Sequence, residues 1–234
     1  MGTLAVFGVG PGLGMSIAHR FGREGHRVAL VSRTANRHAG YLESLAQAGI
    51  EADAFTADVR DRAQLVAAVD AITNRFGAPD IVYYGPAGLD PSDRPTPITQ
   101  ADSDTVRTAM GWVYAAVDLV GAVLPGMIER GDGGLLFAGG LSSVVPMPAL
   151  GNLALSSAAL RNYAVTLHAA LADQGVYAGT LTIGGLIERG DIHTFMSAQA
   201  TGGLPILDPD ELAEAAWELY TKRDRAEAVF NVLS

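Results

Sequence analysis

Two hydrophobic periods take turns along this chain from one end to the other. Short apolar runs at Leu4–Gly8, Arg27–Ser32, Glu51–Thr56, Asp80–Tyr84, Leu135–Ala138 and Tyr177–Ile183 read as strands. Between them apolar residues recur at helical spacing, as at Leu65, Ala68, Val69 and Ile72. This pattern predicts helices over Gly14–Glu24, Ala35–Ala48, Asp61–Phe76, Ile98–Arg130 (main body from about Asp104), Asn152–Asp173 and Pro209–Lys222. Asp208 is the expected N-cap of the last helix, and Ala228–Val232 a short closing strand.

Strands that alternate with helices imply right-handed crossovers and a parallel sheet covered on both faces. The expectation is one α/β domain over residues 1–234, a doubly wound sheet with neither linker nor repeat. Two segments interrupt the alternation. One is a Pro-rich loop at Leu89–Pro97; the other is Leu186–Ile206, an expected substrate lid or mobile loop.

The first strand runs into Gly8-Val9-Gly10-Pro11-Gly12-Leu13-Gly14, and a helix follows. Glycine there permits φ > 0 and lets the backbone approach a pyrophosphate, while the helix N-terminus offers free N–H groups to the phosphates. In this strand–turn–helix setting the loop reads as the dinucleotide site of a Rossmann-type fold. Ser32 stands 20 residues after Gly12, where an acid would bind the ribose 2′-OH of NAD. A serine followed by Arg33, with Arg37 nearby, suits a 2′-phosphate instead, so NADP(H) is the expected cofactor. Asp58 follows the third strand and is placed either to accept from the adenine amino group or to cap towards Asp61.

Composition narrows the class. Of 234 residues, 49% are apolar and 18% charged, which suits a globular protein with a sizeable core. The net charge of −9 argues against nucleic acid and anionic membranes as partners. The absence of cysteine excludes disulfides and thiolate metal sites, and no metal site is expected. No uninterrupted apolar run reaches the roughly 18 residues of a membrane span. No leader is recognisable, so a cytoplasmic protein acting on a small molecule is expected.

These motifs resemble the short-chain dehydrogenase/reductase family over nearly the whole chain. Gly8-x-x-x-Gly12-Leu13-Gly14 has the family's glycine spacing, and Thr56-Ala57-Asp58-Val59 is similar to its adenine-side motif. Ala87-Gly88 matches the end of its Asn-Asn-Ala-Gly, and Leu124-Pro125-Gly126-Met127 the close of its fourth helix. Ile183-Gly184-Gly185 stands where it has a Pro-Gly beside the nicotinamide. The resemblance implies a homodimer or homotetramer built through the fourth and fifth helices. Their residues Val113, Val117, Val120, Leu160, Val165 and Leu167 suit either that interface or ordinary core.

The family's catalytic set is a Tyr with a Lys one turn later, an earlier Ser, and an Asn on the fourth helix. Aligned on Ser156-Ser157-Ala158-Ala159-Leu160, the resemblance puts Leu153 at the Tyr, Ser157 at the Lys, Gly140 at the Ser and Trp112 at the Asn. All four depart from the pattern. A phenol titrates near 10 and becomes a useful acid only beside a cation; Leu153 has no proton and Ser157 no charge. Ser142, brought to the serine site by a small slip in the loop, is the candidate substitute, with Ser143 beside it. Tyr84 near the ribose and His193 in the lid are weaker candidates. Tyr114 is expected in the core or an interface, Asn152 as a helix N-cap, and Glu188, Arg189 and Asp191 in solvent. The leading expectation is an atypical NADP(H)-dependent oxidoreductase acting on a carbonyl or enone. The alternative is an NADP(H)-binding protein without catalysis, serving as sensor or partner subunit. A lyase or isomerase on the same fold is selected by nothing in the sequence.

Overall fold

A computed structural model describes residues 2–88, 90, 93–199 and 205–233. Its strands are Thr3–Phe7 (β1), Arg27–Ser32 (β2), Ala52–Thr56 (β3), Ile81–Tyr84 (β4), Gly133–Gly140 (β5), Val176–Gly184 (β6), Leu186–Ile187 (β7), Ile206–Leu207 (β8) and Glu227–Asn231 (β9). Its helices are Leu13–Gly22 (α1), His38–Gln47 (α2), Arg62–Phe76 (α3), Ser103–Arg130 (α4), Gly151–Leu171 (α5), Asp191–Ser197 (α6) and Pro209–Lys222 (α7).

Seven strands form one parallel sheet in the order β3-β2-β1-β4-β5-β6-β9. Helices cover both faces, as the expected Rossmann-like α/β fold requires. One face carries α3, α4 and α5 through Leu65, Ile72, Ala116, Leu119 and Ala164. The other carries α1, α2 and α7 through Ile17, Phe21, Leu45, Leu212 and Leu219. All ten are buried, and each large apolar side chain among them contributes about 1.5–3 kcal/mol. The sheet order reverses between β1 and β4. Open α/β sheets take their ligands in the crevice beyond the strand ends at such a point.

Capping sets several helix starts, and at α4 it shifts the expected one. Asp102 accepts from the Asp104 and Thr105 N–H groups while Thr105 Oγ1 accepts from the Asp102 N–H. This capping box starts α4 at Ser103, not Ile98. Asp61 caps α3 and Asp208 caps α7. Asn152 is not an N-cap. It lies buried in the first turn of α5, and its Oδ1 accepts from the Thr96 N–H at 2.8 Å. Gly151 beside it is pressed on the backbone of Thr96 and Ile98. The start of α5 therefore anchors the Pro-rich loop, whose Leu89, Pro91 and Ser92 lie outside the described residues.

By length and apolarity α4 could cross a bilayer, with a mean hydropathy of 1.5 in its most apolar window. Its Ala116, Leu119, Val123 and Met127 instead pack the core, so it does not mark a membrane span. Val113, Val120 and Leu160 are core as well and cannot form an interface. Val117 and Tyr114 face outward, Tyr114 with 56% of its surface free, so Tyr114 is not a core residue. Within the expected lid β7 pairs with β8, and α6 lies between them. Residues 200–204 of the lid lie outside the described residues.

Candidate functional site

The crevice at β1 and β4 is shaped by glycine. Gly8 has φ +91°, and a Cβ there would strike the Pro86 backbone, with the nitrogen 2.5 Å away. The Gly8 and Val9 N–H groups both donate to the Val31 carbonyl, tying the turn to β2. A Cβ on Gly14 would meet the Val9 Cα at 2.9 Å. Gly10 differs: no atom of the described residues lies within 4 Å of its Cβ position. Gly12 is the N-cap of α1, with Leu13 as the first helical residue; no side chain caps this helix and no acid stands in its first turn. A tight turn, an open flank at Gly10 and an uncapped, positive helix end together fit a pyrophosphate.

At the end of β2, Ser32 Oγ donates to the Thr34 carbonyl at 3.0 Å and lies 2.8 Å from His38 Nε2. Burial lowers the pKa of His38, which favours a neutral ring there. Arg33 is partly exposed, with Asp90 4.0 Å from its guanidinium. Arg37 is not free near the crevice; it pairs with Asp191 at the start of α6 at 2.8 Å. Asp58 Oδ1 accepts from the Arg60 N–H at 3.0 Å, so it shapes its own turn and leaves helix capping to Asp61. Arg60 lies over the Trp112 ring, 4.4 Å from its centroid, and donates to Asp93 at 2.8 Å. Val59 is buried, Ala87 is exposed and Gly88 is half-buried beside Asp93. Gly185 is packed between Leu207 and Val232.

Three residues meet at the end of β5. A Cβ on Gly140 would lie 3.4 Å from both Ser142 Oγ and Ser157 Oγ. The short 3₁₀ turn Leu141–Ser143 carries Ser142 back over Gly140, and α5 brings Ser157 to the same place. Ser143 Oγ is buried without a hydrogen-bond partner among the described residues. Leu153 stands half-buried one turn before Ser157. Tyr84 is buried, and its hydroxyl donates to the Trp112 carbonyl at 2.6 Å. Burial pushes its pKa well up, so this phenol stays protonated and structural. His193 is half-buried on α6.

The seating of the lid leaves no mark in the sequence pattern. A Cβ on Gly12 would meet the Glu188 carbonyl at 3.0 Å and the Gly190 nitrogen at 3.1 Å, so the segment after β7 lies backbone to backbone on the turn. Arg189 adopts φ +65°, reaches Ser16 Oγ at 3.3 Å, and pairs with Asp210 at 2.9 Å and Asp208 at 3.6 Å. Arg189 and Asp191 are thus paired rather than merely solvated. These partners lie far away along the chain, and spacing alone carries no signal for them.

Comparison with known proteins agrees with this architecture. The family model described as short chain dehydrogenase matches residues 3–199. A putative ketoacyl reductase of Streptomyces coelicolor is 32% identical over 128 residues, covering 55% of this chain and 49% of that protein. The chain thus spans about half the length of this relative. A 3beta-hydroxysteroid dehydrogenase 1 of Eggerthella lenta is 27% identical over 232 residues, covering 92% of this chain and 85% of that one. Among solved structures, an NADPH-bound short chain oxidoreductase of Pseudomonas aeruginosa, described as containing an atypical catalytic center, superposes with a TM-score of 0.85. It is 21% identical, and the match covers 100% of this chain and 96% of that one, a likeness of fold.

Proposed function

Because the chain belongs to the short-chain dehydrogenase family, we propose that it is an NADP(H)-dependent oxidoreductase. Its substrate is a small carbonyl or enone, and it works without a Ser-Tyr-Lys relay. One observation carries the reading. The turn of Gly8, Gly10, Gly12 and Gly14 is built to receive a pyrophosphate at the point where the sheet order reverses. Leu13 and Gly14 begin the helix that would face it; Ser32 and Arg33 would hold the ribose side, with Arg33 supplying the charge for the 2′-phosphate. Asp58 and Val59 would serve the adenine, and Ala87, Gly88 and Gly185 the length of the cofactor. NADPH, when bound, supplies the hydride.

The residues of this chain then have two tasks, orientation and proton management. In this alignment Trp112, Gly140, Leu153 and Ser157 occupy the family's catalytic positions. Ser142 and Ser157 bring two hydroxyls to one place at Gly140. A hydroxyl there can donate a hydrogen bond to a carbonyl oxygen and stabilise the charge that develops on it. Neither hydroxyl is acidic enough to surrender its proton at neutral pH, so the proton comes from solvent or from the substrate itself. Reactive carbonyls and enones meet that requirement. The NADPH-bound neighbour and relatives named as reductases support the class.

The test is oxidation of NADPH followed at 340 nm over a panel of aldehydes, ketones and enones, beside calorimetric binding of NADPH. Binding with turnover of any member supports the reading. Binding without turnover favours the second reading, a sensor or partner subunit, which draws on the apolar Leu153. The exposed Tyr114 and Val117 on α4 support assembly as a homodimer or homotetramer.

A further inference from the structure

One carboxylate oxygen is left over from the site. Asp93 enters from the loop between β4 and α4 with a side chain only 4% exposed. Its Oδ1 accepts from the Arg60 guanidinium at 2.8 Å. Its Oδ2 is buried and has no hydrogen-bond partner among the described residues. Buried polar atoms in native proteins are satisfied with few exceptions, because an orphan loses its hydration and gains nothing. A ligand that brings a donor would complete this one.

The surroundings identify the ligand. Asp93 Oδ2 lies 2.7 Å from the position a Cβ on Gly88 would take, and Arg33 Nη2 lies 3.4 Å from that position. The two side chains therefore flank Gly88 together. Arg60 fixes the carboxylate by its other oxygen and is itself stacked on Trp112 and placed 3.8 Å from Asp58. Rossmann sheets commonly take an acceptor for the adenosine hydroxyls from the end of the second strand. Here that place holds Ser32, whose hydroxyl already donates to Thr34. An ionised carboxylate only accepts and a guanidinium only donates. Arg33 is matched to a phosphate; Asp93 is matched to a neutral O–H or N–H group.

We propose that Asp93 is a cofactor-contact residue. Its free oxygen accepts a hydrogen bond from the adenosine half of NADP(H), from the ribose 3′-hydroxyl or the adenine amino group. This rests on the dinucleotide reading above.

The experiment is titration calorimetry on the full chain. Asp93→Asn keeps one oxygen for Arg60 and turns the other atom into a donor. It should bind NADPH about 10- to 100-fold more weakly than the wild type. It should lose as much towards 2′-phospho-ADP-ribose, which lacks the nicotinamide, with circular dichroism showing the variant folded at the titration temperature. In parallel, the wild type is titrated with NADPH analogues carrying hypoxanthine in place of adenine, or lacking the 3′-hydroxyl. An analogue penalty that the wild type shows and Asp93→Asn lacks (or Asp93→Ser, should the first variant not fold) names the donor and separates Asp93 from Asp58. Equal affinity of Asp93→Asn and wild type for NADPH overturns the proposal, as does wild-type affinity for both analogues. If the wild type binds no dinucleotide at all, the functional reading falls and takes this inference with it.

Discussion

Two alanine substitutions in one turn should have opposite consequences. Gly8 sits at φ +91° with its Cβ direction blocked by the Pro86 backbone, whose nitrogen would be 2.5 Å away. An L-residue in the left-handed region costs about 1–2 kcal/mol. Forcing a methyl group into packed backbone adds about 1–3 kcal/mol. Gly8→Ala should therefore lose roughly 2–5 kcal/mol, a large part of the 5–15 kcal/mol that typically holds a domain folded. For a chain of this size that is about 4–20 °C in melting temperature. Gly10 has no atom of the described residues within 4 Å of its Cβ position and no positive φ. Gly10→Ala should leave stability unchanged or raise it by a few tenths of a kcal/mol, since alanine restricts the unfolded chain. Its methyl group would instead stand in the open flank where the pyrophosphate is expected, so NADPH affinity should fall at least tenfold. Urea unfolding followed by circular dichroism measures the first effect and calorimetry the second. A stable Gly8→Ala, or a Gly10→Ala that binds NADPH like the wild type, would refute the reading of this turn.

Three other outcomes can be checked. Arg33→Ala should weaken NADPH binding about 10- to 100-fold while leaving NADH affinity within a fewfold, because only the 2′-phosphate loses a charge-assisted partner; competition titrations with both cofactors decide it. Ser142→Ala should lower kcat about 100-fold with NADPH affinity unchanged, as expected when a donor to a developing oxyanion is removed; a fall in affinity with unchanged kcat would contradict that role. Glu227 accepts from Arg161 at 2.6 and 2.7 Å and from the Thr182 hydroxyl at 2.6 Å, and the Arg161 guanidinium holds its carboxyl below the usual range. A depressed folded-state pKa adds stability above the unfolded value near 4.3, and that stability is lost as pH falls through the folded value. Glu227→Gln should accordingly cost about 2 kcal/mol at pH 7, with the gap from wild type closing in acid; a gap independent of pH would show that the ion pair is not its origin.

The order of strands and helices was legible because each element carries its own period. Leu65, Ala68, Val69 and Ile72 announce α3, and all four are buried against the sheet. Boundaries were less legible where a cap competes with the apolar pattern, as at Asp102, or where a side chain has a distant partner, as with Asn152 and Thr96. The glycine turn is legible as a motif between strand and helix, although only Gly14, pressed on Val9, answers to backbone a few residues away; Gly8 is closed off by Pro86 and Gly12 by the lid. The rest of the site is assembled by contacts remote in sequence. Glu188 and Gly190 on Gly12, Arg37 on Asp191 and Asp93 on Arg60 depend on the fold already formed. No periodicity encodes them. Ser142 and Ser157 lie between these cases: both could be named from the chain, but only the 3₁₀ turn after β5 shows that their hydroxyls converge on Gly140.

The beginning of α5 divides two jobs between neighbouring residues. Gly151 and Asn152 carry the mechanical one, clasping the loop at Thr96 and Ile98. Leu153 and Ser157 take no part in that clasp, and Gly140 has room for a side chain in ordinary contact with both serine hydroxyls. A phenol and an ammonium could thus be grafted at Leu153 and Ser157, with a hydroxymethyl at Gly140, while the surrounding frame stays as it is. Such a retrofit makes the chain a platform on which proton delivery can be added one group at a time and its share of the rate weighed.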